Sequence, residues 1–183
     1  MKITKLTTKD IPSIYPVISG YTAHEKYEVS WQDSPEVSYF NLKLATLPTP
    51  YVKKFGHEDL SYYTEIIEAG WSLGVFDNEV LVAVALADIQ EWNHTFWLHE
   101  FHVLKTYQGR GIGRDLMTSL ISNARTTSCR TLVCETQNTN VPAIRFYRKM
   151  GFKIEAIDVS LYSNKDLING EIGIFMKHPL DVD

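Results

Sequence analysis

In six parts of the chain, apolar residues either alternate with polar residues or form short uninterrupted runs. Both patterns are typical of β-strands. One part is long enough for two strands around a turn, which we predict at Asp77-Asn78. The last two strands are expected to be joined by a loop that ends at Asn169-Gly170. The predicted strands occupy residues 2–6, 71–90, 95–104, 131–137, 158–164 and 171–177.

Two later stretches have the periodicity of helices. The first covers residues 114–128, and the apolar residues that begin just before it return every four positions, which places them on one face. The second covers residues 140–150, where Asn140 is a predicted N-cap, Pro142 lies in the first turn and Gly151 ends the helix. The predicted apolar stripe of the first helix consists of Ile112, Leu116, Leu120 and Ala124.

The start of the chain is harder to assign. The stretch TTKD at residues 7–10 is a signal for the beginning of a helix. Residues 20–60 are rich in aromatic and turn residues, and LPTP at residues 47–50 is expected to break any long element. The overall order is strands, then strand–helix–strand–helix, then two strands, which predicts an α/β chain with a mixed central sheet. We expect a single domain over residues 1–183.

Composition and charge narrow the class of protein. Apolar residues make up 44% and charged residues 22% of the chain, values typical of a water-soluble globular protein. No apolar stretch is long enough to span a bilayer and no secretory start is present, so we expect a cytoplasmic protein without a membrane partner. The net charge of −4 and the lack of a Lys/Arg cluster argue against nucleic acid as a partner.

The cysteines offer no metal site in the sequence. Cys129 and Cys134 lie around an apolar run, without a second pair or suitably spaced histidines. The stretch HEFH at residues 99–102 is one residue shorter than the zinc-binding H-E-x-x-H motif and lies in a predicted strand. Buried free thiols and no bound metal are therefore expected.

The stretch YQGRGIGRDLM, residues 107–117, places three glycines between a strand and a helix. A Walker A loop would need lysine and a hydroxyl residue after the last glycine, where Arg114 and Asp115 stand. A dinucleotide loop would need a third glycine at position 114, although Glu135 lies where a ribose-binding acid would. The remaining functional interpretation is Q-x-x-G-x-G, whose backbone N–H groups cradle a pyrophosphate at a helix start. The candidate residues are Gln108, Gly109, Arg110, Gly111, Ile112, Gly113 and Arg114.

Two motifs in this order resemble the GNAT superfamily of acyltransferases. The first is the [QR]-x-x-G-x-[GA] loop just described, and the second is NVPAIRFYRKMGF at residues 140–152. The resemblance implies a GNAT-type sheet of about six or seven strands flanked by helices. It implies acetyl-CoA as the co-substrate, bound without a metal. A homodimer is one expected assembly.

Within the superfamily, the chain is most similar to the streptothricin acetyltransferase subgroup. The shared features are Trp92-Asn93, the run Glu135-Thr136-Gln137, and Asp158, Leu161 and Tyr162 after the glycine–phenylalanine pair. The subgroup commonly has a pair of acids at the central strand. Here the pair is His99-Glu100, so only the second acid position is kept.

The resemblance implies roles for individual residues. Asn140 is expected to contact the pantetheine arm, and Phe101 and Val103 to offer backbone groups to it and to the acetyl carbonyl. Tyr147 is the expected general acid, because a phenol is protonated at neutral pH and can protonate the leaving thiolate. Glu100 is the candidate general base, and a strand period of two places it on the same face as His102 and opposite His99. Glu100, His102 and a chain of waters remain alternatives for the base.

The expected reaction is direct transfer of an acetyl group to a primary amine. The acceptor can be a small cationic compound such as a streptothricin-like antibiotic, which would give antibiotic resistance. The alternatives are acetylation of a protein lysine or N-terminal amine, and a CoA-binding sensor without catalysis.

Overall fold

The structure of the protein is a computed structural model that describes residues 1–55 and 60–180. The chain divides into two compact units. Unit 1 consists of residues 1–20, 54–134 and 178–183, and unit 2 of residues 21–53 and 135–177. That residues 1–183 act as one domain stays a prediction.

The regular elements are numbered along the chain. The strands are β1 (Lys2–Lys5), β2 (Tyr21–Asp33), β3 (Ser38–Lys53), β4 (Leu73–Asp77), β5 (Val80–Gln90), β6 (Thr95–Val103), β7 (Thr131–Gln137), β8 (Lys153–Asp158) and β9 (Gly173–Pro179). The helices are α1 (Ile11–Ile14), α2 (Leu60–Glu68), α3 (Ile112–Ala124), α4 (Val141–Lys149) and α5 (Asp166–Asn169).

Seven strands form one sheet in the order β1-β4-β5-β6-β7-β9-β8, and β2 and β3 form a separate two-stranded sheet. The pairing of β6 with β7 is parallel, whereas β1–β4, β4–β5, β5–β6 and β8–β9 are antiparallel. This is a mixed sheet flanked by helices, and it confirms the fold class that the sequence predicts.

Strand β5 is the centre of unit 1. Its residues from Val82 to Ala87 are all 0% exposed, because helices pack on both of its faces. Residues of α1 and α2 join Val84 and Leu86 in one apolar cluster, and α3 packs against β4, β5 and β6. A strand covered in this way needs apolar residues at successive positions, and the run LVAVALA supplies them.

Two predicted features around this core, the apolar stripe of α3 and the turn between β4 and β5, are present, and the turn is shifted by one residue. All members of the predicted α3 stripe, Ile112 to Ala124, are buried. The hairpin between β4 and β5 turns at Asn78 and Glu79, one residue later than predicted. Both residues have positive φ, 47° and 69°, which is the backbone that a tight two-residue hairpin turn requires.

Unit 2 contains a long hairpin that the sequence did not reveal. Strands β2 and β3 pair from Tyr21–Lys53 to Asp33–Ser38, so the prediction that residues 47–50 break any long element is wrong. The register shifts at Ala23/Glu25, opposite those residues. Proline lacks an N–H for the ladder and is tolerated on an edge strand or at a bulge, and the two prolines occupy such a place.

The first of the two predicted closing strands, residues 158–164, is also wrong. The strand β8 ends at Asp158, and a turn and the short helix α5 follow it. The side chain of Asp166, which is 2% exposed, accepts hydrogen bonds from the backbone N–H of Tyr162 and the hydroxyl of Ser163. These bonds fold residues 162–166 into a compact turn. The second closing strand is present as β9.

Asn138, 2% exposed, joins two segments of unit 2. Its backbone N–H donates to Ile172 O and its side-chain oxygen accepts from Ile172 N, both at 2.9 Å. Its side-chain Nδ2 donates to Tyr27 O at 2.8 Å, and Tyr27 N donates to its carbonyl oxygen. One buried amide therefore satisfies backbone groups of both β2 and the segment that leads into β9.

The variant Asn138→Ala is expected to lower the free energy of unfolding by about 2–5 kcal/mol, because it leaves two buried backbone groups without partners. Urea denaturation of the variant and the wild type measures the difference. The matched control is Asn41→Ala, at an exposed position of β3, which is expected to change stability by less than about 0.5 kcal/mol. An equal loss in both variants would contradict the linking role of Asn138.

Candidate functional site

The glycine-rich loop of unit 1 has the backbone that its sequence suggests. Gly109 and Gly111 have φ values of +75° and +85°, in the left-handed region that strains other residues. A Cβ added at Gly109 would meet nothing within 4 Å, and one at Gly111 would meet only the Arg114 guanidinium at 3.6 Å. The glycines are therefore required by conformation, and the space in front of the loop is open.

Two side-chain contacts hold this loop against the strands, and a third lies within the loop. The hydroxyl of Tyr107 donates to Asp77 Oδ2 at 3.0 Å, and this hydrogen bond is the main reason why the pKa of Tyr107 is raised. The Gln108 amide donates to Val103 O at 3.0 Å. The guanidinium of Arg110 lies 5.0 Å from the centre of the Tyr107 ring. The side chain of Gln108 is thus engaged with β6, and its backbone N–H donates to Lys105 O at 3.3 Å, so the donors that can face a ligand are those that follow it.

The helix α3 begins immediately after the loop, with Gly111 as its N-cap. The N–H groups in the first turn of a helix have no partner within the helix, and the positive end of its dipole is there. Gly113 adds no side chain to this turn. Ile112 is buried with the helix core, whereas the Arg114 side chain is 73% exposed beside Asp115. The loop therefore presents backbone donors with nearby positive charge to anything that approaches.

Near the end of β6, the backbone N–H and C=O groups of Phe101 and Val103 point away from β5. Val103 is opposite Ala83, and Leu104 N donates to Val82 O at 2.8 Å. In an antiparallel ladder this bond shows that Val103 and Ala83 form a non-hydrogen-bonded pair. The N–H and C=O groups of Val103 therefore point to the other edge of β6. The same holds for Phe101 two residues earlier. The Val103 carbonyl oxygen is the atom that accepts from Gln108.

Glu100 lies in a hydrogen-bonded cluster on the side of β6 covered by α2. Its Oε2 is 2.7 Å from His102 Nε2, and its Oε1 accepts from the hydroxyl of Tyr63 at 3.3 Å. The ring of Phe55 meets His102 edge-on at 5.6 Å. The Glu100 side chain keeps 23% of its surface exposed, so this carboxylate is held in place and still reaches solvent.

The prediction that His99 and Glu100 lie on opposite faces of β6 is wrong. The register of β5 and β6 shifts between Leu86 and Ala87, and His99 is the extra residue of this bulge. The hydroxyl of Tyr62 is 2.9 Å from His99 Nδ1, next to the Tyr63 bond to Glu100. Neighbouring residues of α2 thus contact neighbouring residues of β6.

Neither tyrosine, nor the helix that carries them, was among the features predicted from the sequence. A signal was present, because Tyr63, Ile66 and Ile67 have helical spacing and are buried. Gly70, with φ +80°, follows the end of α2.

Unit 2 contains the second motif. The Asn140 side chain accepts from Ala143 N at 3.3 Å, which confirms the predicted N-cap of α4. Tyr147 is 6% exposed, and its ring packs on Phe146 and on Phe152 at centroid distances of 5.7 and 5.4 Å. Tyr147 is more deeply buried than Phe146.

The subgroup residues of unit 2 also meet one another. The hydroxyl of Tyr162 donates to Glu135 Oε1. Burial and the charge of Glu135 raise the pKa of the Tyr162 phenol, so it stays a hydrogen-bond donor. Asp166 holds the turn that carries Tyr162. Burial opposes the charge of Asp166, but hydrogen bonds from Ser163 and from the backbone N–H of Tyr162 outweigh burial and lower the pKa of Asp166. Two of the three stretches that suggested the subgroup are therefore joined by a hydrogen bond.

Within residues 1–55 and 60–180, no group of three or more His, Cys, Asp or Glu side chains is placed to hold a metal ion. Neither Cys129 nor Cys134 forms a disulfide, and both are buried. In the same part of the chain, no helix is both long and apolar enough to cross a membrane.

The pattern of the Acetyltransferase (GNAT) family matches residues 25–152. The chain belongs to this family. It is 33% identical over 128 residues to streptothricin acetyltransferase A of Bacillus subtilis (strain 168), an alignment that covers 69% of this chain and 72% of that protein. The chain is therefore an acetyltransferase similar to the streptothricin acetyltransferases.

Two solved structures share the fold over nearly the whole chain. Nourseothricin acetyltransferase superposes with a TM-score of 0.79 at 22% identity, covering 98% of both chains. A candidate streptothricin acetyltransferase from Bacillus anthracis str. Ames, solved in complex with acetyl coenzyme A, gives a TM-score of 0.78 at 20% identity. That alignment covers 97% of this chain and 98% of the other.

Proposed function

We propose that the protein is a cytoplasmic enzyme that transfers the acetyl group of acetyl-CoA directly to a primary amine of a small cationic compound of the streptothricin type. The observation that carries this proposal is the open, left-handed glycine loop at the start of α3. The expected homodimer stays a prediction.

The loop supports acetyl-CoA as the donor. Its backbone N–H groups and the start of α3 suit the two phosphates of a pyrophosphate, which need several donors close together. Gly109, Gly111 and Gly113 let the ligand approach the backbone, and Arg110 and Arg114 add positive charge. Asn140 keeps its side-chain NH₂ as a donor while its oxygen caps α4, so the expected contact to the pantetheine arm is compatible with its capping role.

The carboxylate of Glu100, on the α2 side of β6, supports a cationic acceptor. Glu100 is partly exposed and is oriented by Tyr63 and His102. A carboxylate there would attract an ammonium group and then accept its proton, which an amine must lose before it attacks a thioester. The named relative acts as a streptothricin acetyltransferase, and this similarity favours a small antibiotic over a protein as the acceptor.

In the proposed reaction the neutral amine attacks the thioester carbonyl carbon, and the carbon–sulfur bond breaks. Glu100 takes a proton from the amine nitrogen. Backbone N–H groups of Phe101 or Val103, which point away from β5, stabilise the oxyanion. Tyr147 donates its phenolic proton to the departing thiolate. None of these steps needs a metal.

Amine-dependent thiol release from acetyl-CoA tests the function. The panel contains streptothricin-like antibiotics, aminoglycosides, polyamines, a lysine peptide and a peptide with a free N-terminus, and mass spectrometry identifies the acetylated product. We expect turnover with streptothricin-like compounds. Turnover with peptides alone would favour the protein-amine alternative, and acetyl-CoA binding without turnover on any amine would favour the sensor.

The variant Gly111→Ala is expected to raise the KM for acetyl-CoA about tenfold, equivalent to about 1.4 kcal/mol, because a Cβ would enter the open face of the loop. Gly170→Ala is the matched control, since Gly170 has a similar φ of +77° and a Cβ added there would meet nothing within 4 Å. Both variants should lose about 1 kcal/mol of stability from left-handed strain. A KM that rises equally in both, or in neither, would refute the cradle.

The variant Tyr147→Phe keeps the buried ring and removes the proposed acid. We expect kcat on the acceptor found above to fall about 100-fold, with the KM for acetyl-CoA unchanged. Tyr39→Phe, at an exposed position of β3, is the control and should leave kcat unchanged. Wild-type kcat in Tyr147→Phe would remove Tyr147 from the mechanism.

A further inference from the structure

Three side chains of unit 1 form a series of close polar contacts beside Glu100. Asp88 of β5 has its Oδ1 3.1 Å from Nε2 of His99 on β6, and Nδ1 of His99 is 2.9 Å from the hydroxyl of Tyr62 on α2. The His99 side chain is only 15% exposed, whereas Tyr62 is 50% exposed. The series therefore runs from a partly buried carboxylate, through a more buried imidazole, to a hydroxyl at the surface.

The ionisation of Asp88 fixes the direction of these bonds. Burial opposes its charge, but hydrogen bonds from His99 and Gln90 outweigh burial and lower the pKa of Asp88. An ionised carboxylate repels the lone pair of a nearby unprotonated nitrogen, so the 3.1 Å contact favours a proton on Nε2 of His99. Nδ1 of the neutral ring is then an acceptor, and the Tyr62 hydroxyl donates to it. The oxygen of Tyr62 keeps lone pairs that can accept a proton from outside.

The chemistry of amine acetylation gives this series a use. An alkylammonium group has three N–H bonds and the amide product has one, so two protons must leave the nitrogen. Glu100 is the proposed acceptor of one of them. The Tyr62 and Tyr63 rings are 5.9 Å apart, and each hydroxyl serves a different residue of β6. A second acceptor therefore lies next to the first.

We propose that Tyr62, His99 and Asp88 form a proton relay that accepts the second proton of the acceptor amine. The amine N–H bond breaks as a new O–H bond forms on Tyr62, and the original Tyr62 proton moves to Nδ1 of His99. The imidazolium is stabilised by Asp88 and returns its proton to water through Tyr62 after turnover. Tyr62 is the catalytic residue, and His99 and Asp88 are positioning residues. The relay rests on the proposed amine acetylation.

The groups around His99 are consistent with this role. Asp88, which accepts a hydrogen bond from Gln90, approaches it from β5, Tyr62 approaches it from α2, and Glu100 follows it on β6. The ring of Trp97 lies 6.3 Å from its ring. No cation is among these described neighbours, so a proton on His99 would find a negative partner and no competing positive charge.

The first arm of the test needs no acceptor. Nitrogen-15 NMR of histidine-labelled protein, with His99 assigned by comparison with His99→Gln, reads the tautomer directly. We expect the Nε2-protonated form in the wild type, and a mixture with the Nδ1-protonated form in Asp88→Asn. A wild-type ring protonated on Nδ1, or an unchanged tautomer in Asp88→Asn, would overturn the relay.

The second arm uses the amine that the wild type acetylates. Tyr62→Phe is expected to lower kcat at least about tenfold, with the KM for acetyl-CoA and the thermal midpoint unchanged, because the half-exposed ring is kept. Tyr39→Phe is the control. Wild-type kcat in Tyr62→Phe would refute the relay while the acetyltransferase function stands. A wild type inactive on every amine would refute the function, and the tautomer would still decide whether the series is built as described.

Discussion

The complete burial of β5 is the constraint on which the rest of unit 1 depends. Apolar side chains from Val82 to Ala87 satisfy it on both faces, and it requires helices on each side. Burying a polar group near such a core costs free energy unless the group finds a hydrogen-bond partner. The polar residues of β6 next to β5 meet this requirement through one another and through the tyrosines of α2. The packing that stabilises the sheet thus also orients Glu100, His99 and His102.

The features that sequence analysis predicted well are those with local causes. The apolar stripe of α3 follows from helical spacing, and the glycine loop follows from the backbone conformation that it needs. The cap of α4 follows from the position of Asn140, whose side chain accepts from the N–H three residues later. Each of these depends on residues within one or two turns of chain. The order of strands and helices then fixes the mixed sheet, because short connections leave few arrangements.

The errors have non-local causes or neglected signals. The pairing of Tyr21 with Lys53 spans the whole β2–β3 hairpin, and nothing near residues 47–50 shows that a bulge lets prolines remain in a strand. The turn after β8 did have a local signal, because Ser163 and Asp166 have the spacing of a capping pair. The face of His99 could not be predicted, because one bulge residue reverses the alternation on which the prediction rests.

This last error bears on the acceptor side of the enzyme. Where the subgroup commonly has two acids in sequence, this chain has His99 followed by Glu100, which removes one carboxylate from β6. The structure supplies a carboxylate from the neighbouring strand, because Asp88 lies 3.1 Å from His99. The negative charge is retained but moved behind an imidazole, which can accept a proton at one ring nitrogen while the other faces the carboxylate. A substitution that looks like a loss in the sequence therefore preserves the charge in the structure and adds a proton-transfer group.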